Sequence, residues 1–389
     1  SSPITLPNFL FRKECESMTL AMSLPPSFAA AVSCAGNNVA STFGVFLFLL
    51  ASPIAATMEA FVATEYVGND WNKLTINTTY PMPRIVSPTG VLIKIEASSI
   101  NPVDWKLVES NETGLPAAFP VVLGMDAAGL VAALGSSCDG RLNIGDRVWI
   151  DLADDNLGGF GNYAIAEEAH IGVMPASLNF TEAASLPLVS MTGLAALTGG
   201  GASGLPSPPN IVGKTVMVLG GSGGCGSVGI ELALAMGAAK VFTTTAPSSF
   251  PFVQSLGASK PFFDYHDGVG AWAQALGPNS VDFVYDTVGE SGAADAAMSA
   301  LREGGAFVTI AGALAKTPRA SREQAFIHHW MKNVTALNKI RELVDDGKLH
   351  PHVSAIYALQ EVGTAFARSR TGTVVGKLAV RISSTSYKL

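Results

Sequence analysis

The chain has 389 residues, of which 48% are hydrophobic and 14% are charged, and its formal net charge is −7 at pH 7. This composition excludes a disordered chain, and the length suffices for two domains with a substantial core. The negative charge argues against nucleic acid as a main partner, because neutralising phosphates requires clustered Lys and Arg.

Residues 1–57 differ in composition from the rest of the chain. The stretch 39–56 contains an apolar run of about 12 residues, shorter than the ~20 of a membrane span and typical of a signal-peptide core. We therefore expect a removable signal or transit leader, with a membrane anchor or a non-native extension as alternatives. For 58–389 we expect no membrane partner, and the compartment, cytoplasmic or organellar, is left open.

From about 58 to 185 the chain reads as short β segments interrupted by Gly and Pro, and Gly145-Asp146 is typical of a hairpin turn. This pattern predicts a small, bent antiparallel barrel. The clearest segments are GVLIKIEAS (90–98), PVVLGMDAAGLVAAL (120–134), DRVWI (146–150) and NYAIAEE (162–168).

The next part of the chain alternates strands with helices, which indicates a parallel sheet with right-handed crossovers. Helices are predicted at 228–238 and 247–258. The predicted strands are TVMVL (215–219), KVFTTT (240–245), KPFFDY (260–265), VDFVYDTV (281–288) and GGAFVTIAG (304–312).

A glycine-rich stretch, VMVLGGSGGCGSVG (216–229), follows the first of these strands and leads into the first helix. Gly221, Gly223 and Gly226 match the G-x-G-x-x-G pattern in that context. The first glycine permits a sharp turn, the second lets the backbone approach a pyrophosphate, and the third lets helix and strand pack closely. The stretch therefore predicts a dinucleotide site at a helix N-terminus.

The end of the second strand indicates which dinucleotide binds. NAD-specific sites place a carboxylate there to bond the ribose hydroxyls. This chain has Thr243, Thr244, Thr245 and Ala246 instead. Because no carboxylate would repel a 2′-phosphate and the hydroxyls of Thr244 and Thr245 could donate to it, the sequence favours NADPH, with NADH as the alternative.

Several motifs together resemble the medium-chain dehydrogenase/reductases, within them the zinc-independent quinone and enoyl reductases, and most closely the ToxD-like group with its trans-acting enoyl reductases. They follow the family order over nearly all of 58–382. The motifs are SSINPVDWKLVE (98–109), VVLGMDAAGLV (121–131), IGDRVW (144–149), AASLPLVSMTGLAAL (183–197), GGSGGCG (220–226), SLGASKPFFDYHD (255–267) and TGTVVGKLAV (371–380).

The resemblance implies an α/β chain of two domains. A GroES-like bent β-barrel, the catalytic domain, is expected at 58–186 and is completed by 335–389. A Rossmann-type doubly wound parallel sheet is expected at 187–334.

Zinc is not an expected cofactor. Zinc-dependent members of the resembled family use a Cys and a Gly-His-Glu motif, and the matching places here hold Asn101 and Gly124-Met125-Asp126. Neither Asn nor Met is a credible ligand for a catalytic zinc ion, which prefers Cys, His or carboxylate.

The resemblance also assigns roles to individual residues. Lys106 is the candidate catalytic residue, as a cationic donor that polarises the substrate carbonyl or anchors the cofactor, and the alternative is a solvent-exposed helix lysine. Asn101 and Thr192 would lie near the nicotinamide and its ribose, and Tyr265 would lie by the adenosine. The pyrophosphate would be held by the loop residues Ser222, Gly223, Gly224, Cys225 and Gly226.

Two places depart from the resembled pattern. Where ToxD-like sequences have a Ser and a Lys that can hold a 2′-phosphate, this chain has Ala246 and Ser248, so Ser248 is a candidate without the basic anchor. The interval between Gly312 and the helix predicted at 333–349 is short. A sixth strand, and the dimer that such a strand commonly forms, are therefore left open, as monomer or homodimer.

The leading hypothesis is an NADPH-dependent reductase that transfers hydride to the activated C=C of an α,β-unsaturated carbonyl or enoyl substrate. A second enzyme hypothesis is quinone reduction on the same fold. A third, of a different class, is a catalytically inactive nucleotide-binding subunit with a regulatory or structural role. The first two imply a small-molecule substrate.

Overall fold

A computed structural model describes residues 56–111, 118–153, 157–200, 202–203, 205, 209–327 and 334–382. Residues 1–55, which hold nearly all of the predicted leader, lie outside the described residues. Across the described ranges, no helix has the length and apolar character that crossing a bilayer requires.

The first part of the chain forms mainly antiparallel strands, as the Gly- and Pro-punctuated pattern predicted. The elements are β1 (Thr57–Ala63), β2 (Thr75–Pro81), β3 (Gly90–Ser99), α1 (Pro102–Glu109), β4 (Val121–Val122), β5 (Asp126–Leu134), β6 (Arg147–Asp151), β7 (Tyr163–Glu167), β8 (Gly172–Val173) and α2 (Phe180–Ala183).

Strand β3 is central, because it pairs with both β5 and β7, while β6 joins β5 to β8. Two register shifts between β3 and β5 bend the sheet, as bulges do. At Gly129 any side chain would place its Cβ 2.0 Å from the Lys94 carbonyl oxygen, so only glycine fits where the strands approach. The predicted bent antiparallel barrel is confirmed.

The second part alternates helices with strands. Its elements are α3 (Pro187–Thr198), β9 (Ala202–Ser203), β10 (Thr215–Leu219), α4 (Gly224–Ala235), β11 (Lys240–Thr245), α5 (Phe250–Ser255), β12 (Phe263–Asp264), α6 (Ala271–Leu276), β13 (Val281–Asp286), α7 (Ala293–Ala300), β14 (Leu301–Thr309) and β15 (Glu323–Ile327).

These strands form one sheet in the order β12-β11-β10-β13-β14-β15-β9, parallel from β12 to β15, with β9 antiparallel at the edge. This is the doubly wound order of a dinucleotide-binding sheet, with its switch point between β10 and β13. Rossmann topology is thus confirmed. The sixth parallel strand, which the short interval after Gly312 left open, is present as β15, paired with β14 through Ala306–Thr309.

The last part of the chain returns to the barrel. Its elements are α8 (Val334–Asp345), β16 (Val353–Ala358), α9 (Val362–Arg370) and β17 (Lys377–Arg381). Strand β17 lies parallel to β16 and antiparallel to β3. The barrel sheet is therefore built from both ends of the described chain, while the exact domain boundaries stay a prediction.

A substitution at Phe366 of α9 measures how much the packing of this last part of the chain on the barrel stabilises the fold. Its ring is fully buried and packs edge-on against Phe61 and Trp71, with centroid distances of 6.2 and 5.7 Å. We expect Phe366→Ala to lower the free energy of unfolding by about 3–5 kcal/mol, because a cavity replaces the ring. Urea denaturation followed by tryptophan fluorescence measures the loss.

The matched control is Ile356→Ala on β16, whose side chain is 48% exposed. We expect this variant to lose about 0.5 kcal/mol or less. Equal losses in the two variants would show that α9 does not belong to the core of the barrel.

Candidate active site

The glycine loop connects β10 to α4, at the carboxyl end of the parallel sheet. A side chain at Gly221 would place its Cβ 2.0 Å from Thr243 Oγ1, and one at Gly226 would meet the Gly220 carbonyl oxygen at 2.1 Å. At Gly223 the nearest atom would be 3.5 Å away. Two glycines are therefore needed for packing, whereas Gly223 leaves open the backbone surface that a pyrophosphate would approach.

Helix α4 begins at Gly224, four residues before the predicted start at 228, so the loop leads directly into the helix. Burial raises the pKa of the Cys225 thiol to about 11. The thiol is therefore protonated near neutral pH, and Cys225 acts as a packing residue of the loop rather than as a nucleophile.

Two threonines of β11 hold the loop in place. The Gly220 N–H donates to Thr244 Oγ1 at 3.0 Å, and the Thr245 hydroxyl donates to Ser222 Oγ at 2.7 Å. Both threonines are buried. Their hydroxyls thus support the loop, in addition to any contact with a ribose phosphate.

The two remaining candidates for the adenosine side lie farther out. Ser248 is exposed in the turn after β11, and Tyr265 follows β12, whose Asp264 is the register partner of Thr245. The Tyr265 ring is 44% exposed and stacks on the His266 ring at a centroid distance of 4.1 Å.

A buried polar cluster lies where the barrel meets the loop. The Lys377 ammonium donates to the Ile100 carbonyl oxygen at 2.9 Å and to Asn101 Oδ1 at 2.5 Å, and it lies 3.5 Å from Asp126 Oδ2. Asn101 Nδ2 donates to the same Asp126 oxygen at 2.7 Å. The stem of Lys377 packs against Gly224, where a Cβ would come within 2.8 Å of it.

Asp126 connects this cluster to helix α3. Its Oδ1 accepts the Leu188 N–H at the start of α3 at 2.8 Å, and its Oδ2 also accepts the Ser99 hydroxyl at 2.6 Å. One turn along α3, Thr192 is 2% exposed and its Oγ1 has no hydrogen-bond partner. A buried hydroxyl rarely lacks a partner, so Thr192 is available to a ligand such as the nicotinamide ribose.

Asp104 lies beside the cluster and caps α1. Its carboxylate accepts the Asn101 N–H at 2.8 Å and the Met125 N–H at 3.1 Å. Burial raises the pKa of Asp104 to about 7, and the Asp126 charge adds to this rise, although the two N–H donors and Lys377 oppose it.

Lys106 is apart from the buried cluster. It is exposed on α1, with its ammonium 5.6 Å from the centre of the Trp105 ring. The adjacent Trp105 is 8% exposed and donates its indole N–H to Ser369 Oγ at 3.2 Å. The described side chain is thus free to reach a ligand from α1, which is compatible with both interpretations of Lys106.

The site does not fit zinc. The Asn101 amide is engaged by Asp126 and Lys377, and the other positions offer a thioether and a carboxylate paired with an ammonium. In the parts of the chain that the structure describes, no group of three or more His, Cys, Asp or Glu side chains is placed to hold a metal ion. Zinc independence stays a prediction.

Comparison with known proteins identifies the family. The alcohol dehydrogenase GroES-like domain matches residues 87–177, and the zinc-binding dehydrogenase domain matches 256–380. An NADPH-dependent alkenal/one oxidoreductase of Arabidopsis thaliana, chloroplastic by name, is 31% identical over 84% of this chain and 80% of its own length. The chain belongs to the medium-chain dehydrogenase/reductases.

Two further comparisons place the chain within this superfamily. A trans-enoyl reductase of a Fusarium strain is 37% identical over 52% of this chain and 58% of its own length. The solved quinone oxidoreductase of Coxiella burnetii is 28% identical, with a TM-score of 0.72 over 84% of this chain and 99% of that structure. The resemblance to quinone and enoyl reductases is confirmed, and the protein is an oxidoreductase.

Sequence reasoning missed three members of the buried cluster, Ser99, Asp126 and Lys377, as functional residues. A signal was available for two of them. Asp126 interrupts the apolar run VVLGMDAAGLV and Lys377 interrupts VVGKLAV. Charged residues inside apolar strands are rarely buried unless they are paired, so each predicts a partner without identifying it.

The raised pKa of Asp104 generates a pH dependence of stability. Between the unfolded pKa near 3.9 and the folded value of about 7, the folded state binds the extra proton, so this group makes stability fall as the pH rises. Asp104→Asn lacks this titration. We expect the excess stability of the natural protein over the variant to shrink between pH 5 and pH 8, by on the order of 2 kcal/mol.

Urea titrations of both proteins at a series of pH values measure this difference. A gap that stays constant from pH 5 to pH 8 would show that Asp104 is already ionised at pH 5 and would contradict the raised pKa. Asp104→Asn would place an amide donor against a backbone N–H, which lowers the stability of the variant at every pH. The test therefore depends on how the gap changes with pH and not on its size.

The Lys377 ammonium should stabilise the fold mainly by neutralising the buried charge of Asp126. We expect Lys377→Met to lower the free energy of unfolding by about 3–5 kcal/mol, because Asp126 is left buried without its cation. Adding Asp126→Asn to that variant should restore part of the loss, and denaturation of both single variants and the double variant measures the coupling. Strictly additive losses would contradict the pairing.

Proposed function

We propose that the protein is an NADPH-dependent reductase of the activated C=C bond in α,β-unsaturated carbonyl or enoyl substrates. The observation that carries the proposal is the meeting of an open glycine loop with a buried donor cluster. Lys377 packs on Gly224 of the loop and bonds Asn101 of the barrel, so cofactor and substrate sites would adjoin there.

The described residues fit a dinucleotide. Gly223 is open to a pyrophosphate at the N-terminus of α4, and the buried Thr192 hydroxyl has no hydrogen-bond partner in the structure, so a ribose hydroxyl bound there would satisfy it. Bound NADPH would supply the hydride. NADPH is preferred to NADH because β11 ends at Thr245 and is followed by Ala246 rather than by a carboxylate, and the Arabidopsis relative is NADPH-dependent by name.

The chain's own contribution is to stabilise charge on the substrate. As the β-carbon of a conjugated carbonyl accepts hydride, negative charge collects on the carbonyl oxygen, and a donor there lowers the barrier until the α-carbon is protonated. Both polar atoms of the Asn101 side chain already bond within the buried cluster, Nδ2 to Asp126 and Oδ1 to Lys377. Lys106, exposed on the helix that follows Asn101, is therefore our candidate for the donor to that oxygen.

The residues at the zinc-ligand positions favour this reaction over alcohol oxidation. Alcohol oxidation in the superfamily relies on zinc to stabilise an alkoxide, and the positions of those ligands do not fit zinc in this chain. The name of the Arabidopsis relative, an alkenal/one oxidoreductase, supports the same substrate class.

Quinone reduction is the second candidate, favoured by the likeness to the Coxiella quinone oxidoreductase. The inactive nucleotide-binding subunit stays as the alternative of another class. Oligomeric state and compartment also stay proposals: a monomer or a homodimer, in the cytoplasm or, with residues 1–57 as transit segment, in an organelle.

The test is an assay of the full chain with NADPH, monitored at 340 nm, with pent-3-en-2-one and then with a benzoquinone. We expect oxidation of NADPH that depends on the enone, with pentan-2-one as the product seen by gas chromatography. Oxidation with the quinone alone would select the second candidate. Binding of NADPH without either turnover would select the inactive subunit.

The role of Lys106 is tested in the same assay. We expect Lys106→Met to lower kcat for the enone by about 100-fold while the Kd for NADPH stays within about twofold, as for loss of a donor used in the transition state. The control, Lys339→Met, removes an exposed lysine of α8 that pairs with Glu342. An unchanged kcat in Lys106→Met would reduce this residue to a solvent-exposed helix lysine.

A further inference from the structure

Helix α4, whose N-terminus carries the glycine loop, holds a buried carboxylate that the proposed reaction does not use. Glu231 is 7% exposed. Its two oxygens accept the His350 N–H at 3.1 Å, lie 2.8 Å from His350 Nδ1 and lie 3.2 Å from His352 Nε2. One carboxylate thus binds two imidazoles and a backbone amide of the segment between α8 and β16.

That segment also sets the position of Lys377. The Lys377 N–H donates to the His352 carbonyl oxygen at 2.7 Å. The preceding residue, Gly376, has a φ of +70°, and a Cβ there would lie 2.1 Å from the same carbonyl oxygen. Only glycine at position 376 therefore allows the backbone to approach His352 this closely.

The same strand end contacts the glycine loop directly. The Gly376 N–H donates to the Ser222 carbonyl oxygen at 2.8 Å, and Gly223 and Gly376 form a parallel bridge. These contacts lead from α4 back to α4. Glu231 of α4 binds the 350–352 segment, and that segment binds residues 376–377. Residues 376–377 in turn bind the loop that begins α4.

Burial of the Glu231 carboxylate makes its contacts with the 350–352 segment costly to break. A buried carboxylate is costly unless hydrogen-bond donors satisfy it, and here the donors come from a part of the chain remote in sequence from α4. Moving the 350–352 segment away would strand that charge. The His352 ring also packs nearly perpendicular to the Phe252 ring, with a centroid distance of 5.2 Å.

We propose that Glu231, His350 and His352 form a positioning site for the dinucleotide, which holds Lys377 and the 222–223 backbone in the geometry that binds the cofactor. The inference rests on the proposed dinucleotide binding and deepens it. The three residues act through Lys377 and the loop, so their loss weakens cofactor binding and leaves the chemical step nearly unchanged.

The experiment measures the Kd for NADPH by quenching of tryptophan fluorescence, together with KM for NADPH and kcat, on the full chain. We expect Glu231→Ala to raise both Kd and KM about tenfold or more, with kcat within about twofold, because small displacements of a positioning element are costly. Glu231→Gln should recover most of the affinity, since a neutral imidazole can change tautomer and accept from the amide.

His352→Ala is the second variant, in case Glu231→Ala does not fold. It removes one donor and leaves Glu231 with His350, so the protein keeps a partner for the buried charge. We expect a rise in Kd for NADPH in the same direction, smaller than that of Glu231→Ala.

The matched control is Asp282→Ala. Asp282 of β13 is a partly buried carboxylate that accepts the Thr215 N–H at 2.8 Å and pairs with Arg302 at 2.6 Å, and it lies at the amino end of the strands, opposite the end that carries the glycine loop. We expect this variant to lose stability in thermal denaturation without a change in Kd. The same pattern in Glu231→Ala and His352→Ala would overturn the inference.

Failure of the proposed function gives a different result. If the natural protein does not bind NADPH, the dinucleotide proposal falls and this inference falls with it. If the natural protein binds NADPH and the two variants bind it equally well, the dinucleotide proposal stands and only the positioning role of Glu231, His350 and His352 is wrong.

Discussion

The pairing of one buried carboxylate, Asp126, with one buried ammonium, Lys377, is the constraint on which the arrangement of the site depends. Asp126 begins β5, accepts from Ser99 on β3 and from the first turn of α3, and faces Lys377 of β17. An unpaired charge at this depth would destabilise the fold strongly. The barrel, the first helix of the nucleotide-binding part and the C-terminal strand must therefore meet at this point.

Much of the fold was predictable because its signals are local. Glycine at 221, 223 and 226, between a strand and a helix, identifies the loop from residues close together in the chain, and the structure gives Gly221 and Gly226 a steric reason. The bent barrel likewise follows from short apolar segments separated by turns. The sixth parallel strand was not predictable with equal ease, since Glu323–Ile327 is five residues long and its identity depends on pairing with β14.

The buried cluster could not be assembled from the sequence, for a related reason. Asn101 and Lys377 are 276 residues apart, and no periodicity links them. A charged residue in an apolar strand indicates that it has a partner. Which residue that is depends on the topology, which brings β17 beside β3. The same holds for Glu231, because its partners His350 and His352 lie 119 and 121 residues later in the chain.

The charge balance of the cluster links the fold to its chemistry. Asp126 and Lys377 form an ion pair at 3.5 Å, and burial raises the pKa of the adjacent Asp104 to about 7. At the positions where zinc-dependent members of the superfamily have a Cys and a Gly-His-Glu motif, this chain has Asn101 and Gly124-Met125-Asp126. The Lys377 ammonium contacts Asn101 and Asp126 there, and its backbone is held by β17 and by the His352 carbonyl oxygen. The position of this ammonium is only as precise as the contacts that hold its backbone, so under the proposed dinucleotide binding, cofactor affinity should depend on Glu231, His350 and His352 as well as on the glycine loop.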